Sequence, residues 1–174
     1  MTTAFRVLAT FLVVLCGASA SAQDAAPRRT MAWWGQALHL AGGLPVQDGG
    51  RIKPLDTYAN FTLLRFNGKR SVTLPDGGKH EALPWLLDVP FYPDQASAYP
   101  VFKVDDIQAV EAIGIAVDGK AKRDRYSFEE LAPGVRRLFE LAAQYHQKEE
   151  RDRTPVEQQI ALLASNVNDF MLLQ

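Results

Sequence analysis

Arg51 and Lys53 are the residues of this chain whose types and spacing best suit chemistry. They stand two apart in a short basic stretch that a glycine turn precedes and Pro54 ends. In an extended strand alternate side chains share a face, so the pair presents two cations to one side and suits a carboxylate or phosphate group. A second reading keeps the charge inside the domain, with Arg51 paired to an acidic neighbour such as Asp56 to hold the turn shut. His39, His80 and His146 are the only histidines, and no His-x-x-x-His or Glu-x-x-His pair links them. His146 falls seven positions after Phe139, on the apolar face of a helical pattern, and His80 lies in a Gly-rich loop. The chain has no Gly-x-Ser-x-Gly motif, no phosphate-binding glycine loop and no histidine beside a plausible nucleophile. Asp105-Asp106 and Glu129-Glu130 are adjacent carboxylates that diverge on a helix start, where capping accounts for them. The sequence thus points to binding rather than catalysis.

The elements that must position these groups are readable from turns, caps and periodicity. Asp48-Gly49-Gly50 supplies a tight turn, and Pro54 bars a helix from starting before Leu55. Asp56 is then expected to be the N-cap of a helix over residues 57–66. Residues 31–41, with Trp33 and Trp34, predict an earlier short helix that Gly42-Gly43 ends. Residues 69–74 and the Pro75-Asp76-Gly77-Gly78 turn predict a β-hairpin. Residues 81–89 predict one or two helical turns, after which Pro90, Pro93 and Pro100 force an irregular path. Residues 101–104 alternate as a strand, and Asp105 or Asp106 caps a helix that Gly114 stops. In the C-terminal third, Ser127 with Glu130 and Thr154 with Glu157 form capping boxes, and Val135, Leu138, Phe139 and Ala142 recur at helical spacing, as do Ile160, Leu163, Val167 and Phe170. The fold class is mainly α (α+β): a small helical domain with a C-terminal antiparallel helix pair and a few short strands.

Composition bounds the setting of that domain. Arg6 and the apolar run over residues 7–16 read as a secretory signal, with Ala20-Ser21-Ala22 as its cleavage site. Residues 1–22 are therefore expected to be a signal peptide, 23–30 a disordered leader and 31–174 a single extracytoplasmic domain. The one cysteine, Cys16, leaves with the signal, which excludes disulfides, thiol redox chemistry and covalent haem attachment through this chain. A net charge of −1 argues against a nucleic-acid partner.

The run from Leu44 to Ala59, with the core Gly50-Arg51-Ile52-Lys53-Pro54-Leu55-Asp56-Thr57, resembles an extracytoplasmic segment of the bacterial ResB/CcsA-type (system II) cytochrome c biogenesis proteins. The similarity continues in order through Leu83-Pro84-Trp85-Leu86-Leu87, Pro100-Val101-Phe102-Lys103-Val104, Tyr126-Ser127-Phe128-Glu129-Glu130-Leu131 and Arg153-Thr154-Pro155-Val156-Glu157, most of the chain after residue 40. The family sequences belong to much larger polytopic proteins, whereas no segment here after the signal is long and apolar enough to span a bilayer. The resemblance implies a non-enzymatic, periplasmic, membrane-associated accessory domain that docks to membrane subunits of a cytochrome c assembly machinery, with apocytochrome c as a further candidate partner. It makes Arg51, Lys53, Asp56 and Thr57 the binding candidates and His146 and His39 candidate haem ligands. Haem would enter through the assembly, the chain itself carrying no cofactor. The alternative expectation is a periplasmic ligand- or peptide-binding scaffold domain unrelated to haem.

Overall fold

The computed structural model describes residues 28–74 and 76–174; the expected signal and residues 23–27 of the expected leader lie outside that range. The first helix, α1 (Gly35–Gly42), starts later than its periodicity predicts. Trp33 stays out of it because its indole is drawn to a buried carboxylate described below. Strands β1 (Pro45–Asp48) and β2 (Arg51–Pro54) form an antiparallel hairpin that pairs Asp48 with Arg51 and Val46 with Lys53. Its two turn residues, Gly49 at φ 57° and Gly50 at φ 74°, both adopt the left-handed backbone that a two-residue type I′ turn requires.

Helix α2 (Leu55–Asn67) begins directly after Pro54, which occupies the N-cap position in an extended conformation. Asp56 is therefore not the N-cap that the sequence suggests. It sits inside the first turn, where a carboxylate still favours the positive end of the helix. β3 (Ser71–Thr73) and β4 (Lys79–Glu81) form the expected second hairpin. α3 (Ala82–Phe91) runs through Pro90 instead of stopping before it, because a proline in the last turn forfeits only one terminal hydrogen bond. The path beyond is more regular than its prolines suggest. Pro93 opens the short helix α4 (Pro93–Ser97) at the position where its missing N–H costs nothing.

β5 (Phe102–Val104) pairs with β6 (Asp124–Tyr126), and α5 (Gln108–Ala112) lies between them, its first N–H donated to Asp106 Oδ1 at 3.0 Å. Ser127 and Glu130 close a capping box on α6 (Phe128–Leu131), and a short 3-10 turn leads into α7 (Val135–Tyr145). Thr154 and Glu157 cap α8 (Pro155–Leu173), which folds back along α7 as the expected C-terminal pair. The result is a mainly helical α+β domain with three separate two-stranded sheets.

One core joins these pieces. A chain of aromatic rings runs through it, from Trp85 on α3 to Phe66 on α2 at 5.7 Å between centroids, then Phe102 on β5 at 5.5 Å and Phe170 on α8 at 5.5 Å. Arg65 on α2 bonds Asn166 at 3.0 Å and Asp169 at 2.7 Å, fastening the same two helices at the surface. Among the described residues no helix is long and apolar enough to cross a membrane.

Candidate functional site

The β1–β2 hairpin places Arg51 and Lys53 on one face, as their spacing requires, and puts Asp48 and Val46 on that face opposite them. Lys53 Nζ reaches diagonally to Asp48 Oδ2 at 2.6 Å. Arg51 has no ionic partner among the described residues, and the expected Arg51–Asp56 pair does not form. Asp56 is turned into the first turn of α2 instead, where the Asn60 side chain donates to its Oδ2 at 3.2 Å and to its backbone carbonyl at 2.9 Å. Thr57 follows it in that turn, half-buried. The hairpin's other face carries Gln47 and Ile52 between two prolines and is open to solvent, with Ile52 77% exposed.

Next to the hairpin in sequence, α1 buries none of its residues. Only Leu38 packs against the core from this helix, while Trp34, Leu40 and Leu44 around it stay exposed. Large exposed apolar groups in this number, close in sequence to an arginine without an ionic partner among the described residues, have the composition of a contact surface.

His39 borders a cleft of about 690 Å³ between α1 and the first turns of α2 and α3, together with Asp56, Asn60, Glu81 and Leu83. Two carboxylates in that lining oppose the propionates of haem and suit a cation better. The residues around His39 therefore do not fit haem. His146 stands on a different element. It caps the end of α7, exposed rather than on the apolar face, because the helix stops at Tyr145 and the ring turns back so that Nδ1 donates to Ala142 O at 2.7 Å. Among the described residues no three His, Cys, Asp or Glu side chains are gathered to hold a metal.

The most concentrated polar arrangement was not among the sequence candidates. Asp88, on α3, is fully buried, and each of its oxygens is engaged. Arg29 Nε donates to Oδ1 at 2.8 Å and an Arg29 terminal N–H to Oδ2 at 2.9 Å, the forked geometry particular to arginine and carboxylate. Trp33 Nε1–H donates to Oδ1 at 2.8 Å and the Tyr99 hydroxyl to Oδ2 at 2.9 Å. His80 Nδ1 donates to the Lys79 carbonyl at 3.2 Å, which leaves Nε2 to accept from Arg29, 3.5 Å from Asp88 Oδ2. Gln95 accepts the Arg29 backbone N–H at 2.9 Å and donates to the Tyr99 oxygen at 2.7 Å.

Burial, and then the Asp88 carboxylate, pushes the Tyr99 hydroxyl up to about 12, so it remains a donor at physiological pH. The hydrogen bond to Asp88 raises the Arg29 pKa above its usual value despite partial burial. Arg29 belongs to the expected leader over 23–30, of which residues 23–27 lie outside the described residues. Its residues 28–30 are described, and a buried carboxylate holds one of them. The sequence signal for this site was Asp88 itself, a lone charge inside the apolar run Ala-Leu-Pro-Trp-Leu-Leu-Asp-Val-Pro-Phe of α3.

Compared with protein-family models, with curated proteins and with solved structures, the chain has no match in any of the three.

Proposed function

We propose that this chain acts without catalysis, as an exported, periplasmic accessory domain of a cytochrome c biogenesis machinery or a related respiratory membrane assembly, docking onto its membrane subunits. The observation that carries this reading is the exposure of Trp34, Leu40, Leu44 and Ile52 on and around α1 and the β1–β2 hairpin, whose other face carries Arg51 without an ionic partner among the described residues. The Gly50–Thr57 centre of the resemblance folds into the hairpin and the first turn of α2, whereas its later segments supply Trp85, Phe102, Tyr126 and Leu131 to the core. A resemblance confined to packing positions would support a shared fold alone; one on an exposed hairpin supports a shared contact. Haem in this reading stays with the partner subunits, and the domain contributes position.

The test is a pull-down from detergent-solubilised membranes with the tagged chain, read by mass spectrometry and a haem absorbance scan. Recovery of cytochrome assembly subunits with the wild type, and their loss with Arg51→Ala/Lys53→Ala or Ile52→Ser, is the expected outcome. A folded monomer that brings down no partner and no haem absorbance overturns it. The cleft at His39, Asp56 and Glu81 favours the second reading, a periplasmic domain binding a small cationic ligand or peptide amine. Its signature would be a saturable thermal shift with such a ligand that Glu81→Gln removes.

A further inference from the structure

We infer that the side-chain cluster around Asp88 is a receptor for an arginine side chain, that residues 28–33 fill it in cis as a detachable strap, and that an arginine-bearing peptide segment can fill it in trans. The inference rests on how the two sides of the contact are built. The receptor side comes wholly from the folded domain: Asp88 on α3, His80 on β4, and Gln95 and Tyr99 on and just after α4. These residues are also bonded to one another, the Tyr99 hydroxyl to Asp88 and the Gln95 amide to the Tyr99 oxygen. The strap side is a short segment with no secondary structure before Gly35, attached through Arg29, the Arg29 backbone N–H and the Trp33 indole.

The recognition is specific to guanidinium. Two parallel N–H bonds reach the two carboxylate oxygens, and a further N–H reaches His80 Nε2, a fork that an ammonium group cannot reproduce. Trp33 adds a second contact, packed edge-on against Phe91 and Tyr92 at 6.0 and 5.9 Å between centroids. With the strap in place Asp88 is fully buried, so leaving its carboxylate without a cation is costly. Arg29 supplies that cation from the same chain at high effective concentration. A partner that presents its own arginine would displace the strap and release Trp33 from Phe91 and Tyr92. This inference is independent of the docking proposal, which involves the hairpin and not this cluster.

The experiment uses the full chain carrying Arg29→Ala and the probe peptide Arg-Arg-Thr-Met-Ala-Trp-Trp, the sequence of residues 28–34. The variant should melt below wild type, and saturating peptide should raise its Tm by about 5 °C or more. The wild type, its receptor filled in cis at high effective concentration, should respond only at far higher peptide concentration. The same peptide with its second arginine replaced by alanine should fail, as should the intact peptide against Arg29→Ala/Asp88→Asn. If Arg29→Ala folds only when peptide is present, that also supports the receptor. Arg29→Lys provides the second variant: it keeps the charge but loses the fork, and the peptide should displace the substituted ammonium side chain with a saturable rise in Tm. A folded Arg29→Ala or Arg29→Lys chain that is indifferent to the peptide overturns the inference, and so does an equal response in the Asp88→Asn background.

Discussion

The two ends of this domain are built on opposite terms. At the C-terminal end, α8 starts from a capping box and buries Ile160, Leu163, Val167 and Phe170, while α7 adds Leu138, Leu141 and Ala142 to the same core. At the N-terminal end, α1 has no side-chain cap, begins and ends on glycine and buries nothing. A helix this short does not persist on its own propensity. Its order comes from its neighbours: Trp33 pinned to Asp88 before it, the hairpin after it, and Leu38 resting on the core. The C-terminal pair commits most of its apolar residues to the domain's own stability, leaving Leu162, Met171 and Leu172 of α8 exposed. The N-terminal surface leaves Trp34, Leu40, Leu44 and Ile52 to solvent, available to something else.

The sharpest way to break that contrast is to cut a large side chain from each end. Phe170→Ala empties the junction of the aromatic chain, between Phe102 at 5.5 Å and Phe128 at 5.4 Å. It should destabilise the domain by about 3–5 kcal/mol in urea unfolding. Trp33→Phe should come next. It keeps the ring but removes one donor from a buried carboxylate, with a loss of about 1.5–3 kcal/mol and faster amide exchange through α1. If α1 exchanges no faster, it is not held from the Asp88 side and the contrast drawn here fails.

A smaller effect belongs to the caps, which only the C-terminal end has. Thr154 Oγ1 accepts the Glu157 backbone N–H at 3.3 Å, and Glu157 Oε2 accepts the Thr154 backbone N–H at 2.9 Å. Thr154→Ala should cost about 1 kcal/mol. The same box gives a pH dependence. The Lys148 ammonium, and then the Thr154 N–H, hold the Glu157 carboxylate below its ordinary 4.5. At Glu130 burial acts to raise the pKa, but Lys120 and the Ser127 N–H outweigh it and hold that carboxylate low as well. A carboxylate whose pKa is lowered by folding contributes stability that is complete above its ordinary value and is lost as pH falls through the lowered one. The urea midpoint should therefore fall below about pH 4.5, and Glu157→Gln should flatten that fall. An unchanged slope would remove Glu157 from the account.

What the sequence made legible follows the same division. Ser127 with Glu130, Thr154 with Glu157, and the apolar spacing of α7 and α8 are local signals, decided within a few residues, and each appears in the structure as read. The tight turn at Gly49-Gly50 and the helix start after Pro54 were equally local, while the pairing of the strands on either side of that turn was not read from the sequence. The Asp88 cluster was not, since Arg29 stands 59 positions away and no periodicity connects them. The same long-range pull explains the late start of α1, because Trp33 satisfies a distant carboxylate instead of continuing a helix. The placement of His146 failed for a different reason. Spacing predicts a face only while the helix lasts, and α7 ends one residue before it.

The smallest effect is the one that separates the two ends most cleanly. Ile52 lies on the open face of the hairpin, 77% exposed, and nothing in the domain packs over it. Ile52→Ser should move unfolding stability by no more than about 0.5 kcal/mol in either direction, since a surface position outside caps, cores and networks carries little of the fold. Strand propensity predicts a slight loss, and the reduced exposure of apolar surface predicts a slight gain. Yet in the pull-down this change should reduce partner recovery as severely as Arg51→Ala/Lys53→Ala. A substitution that leaves the melt alone and removes the partner means that the isoleucine serves a contact outside this chain. If stability falls by as much as for a buried isoleucine, the hairpin face is covered within the domain in solution, and the distinction between its two ends disappears.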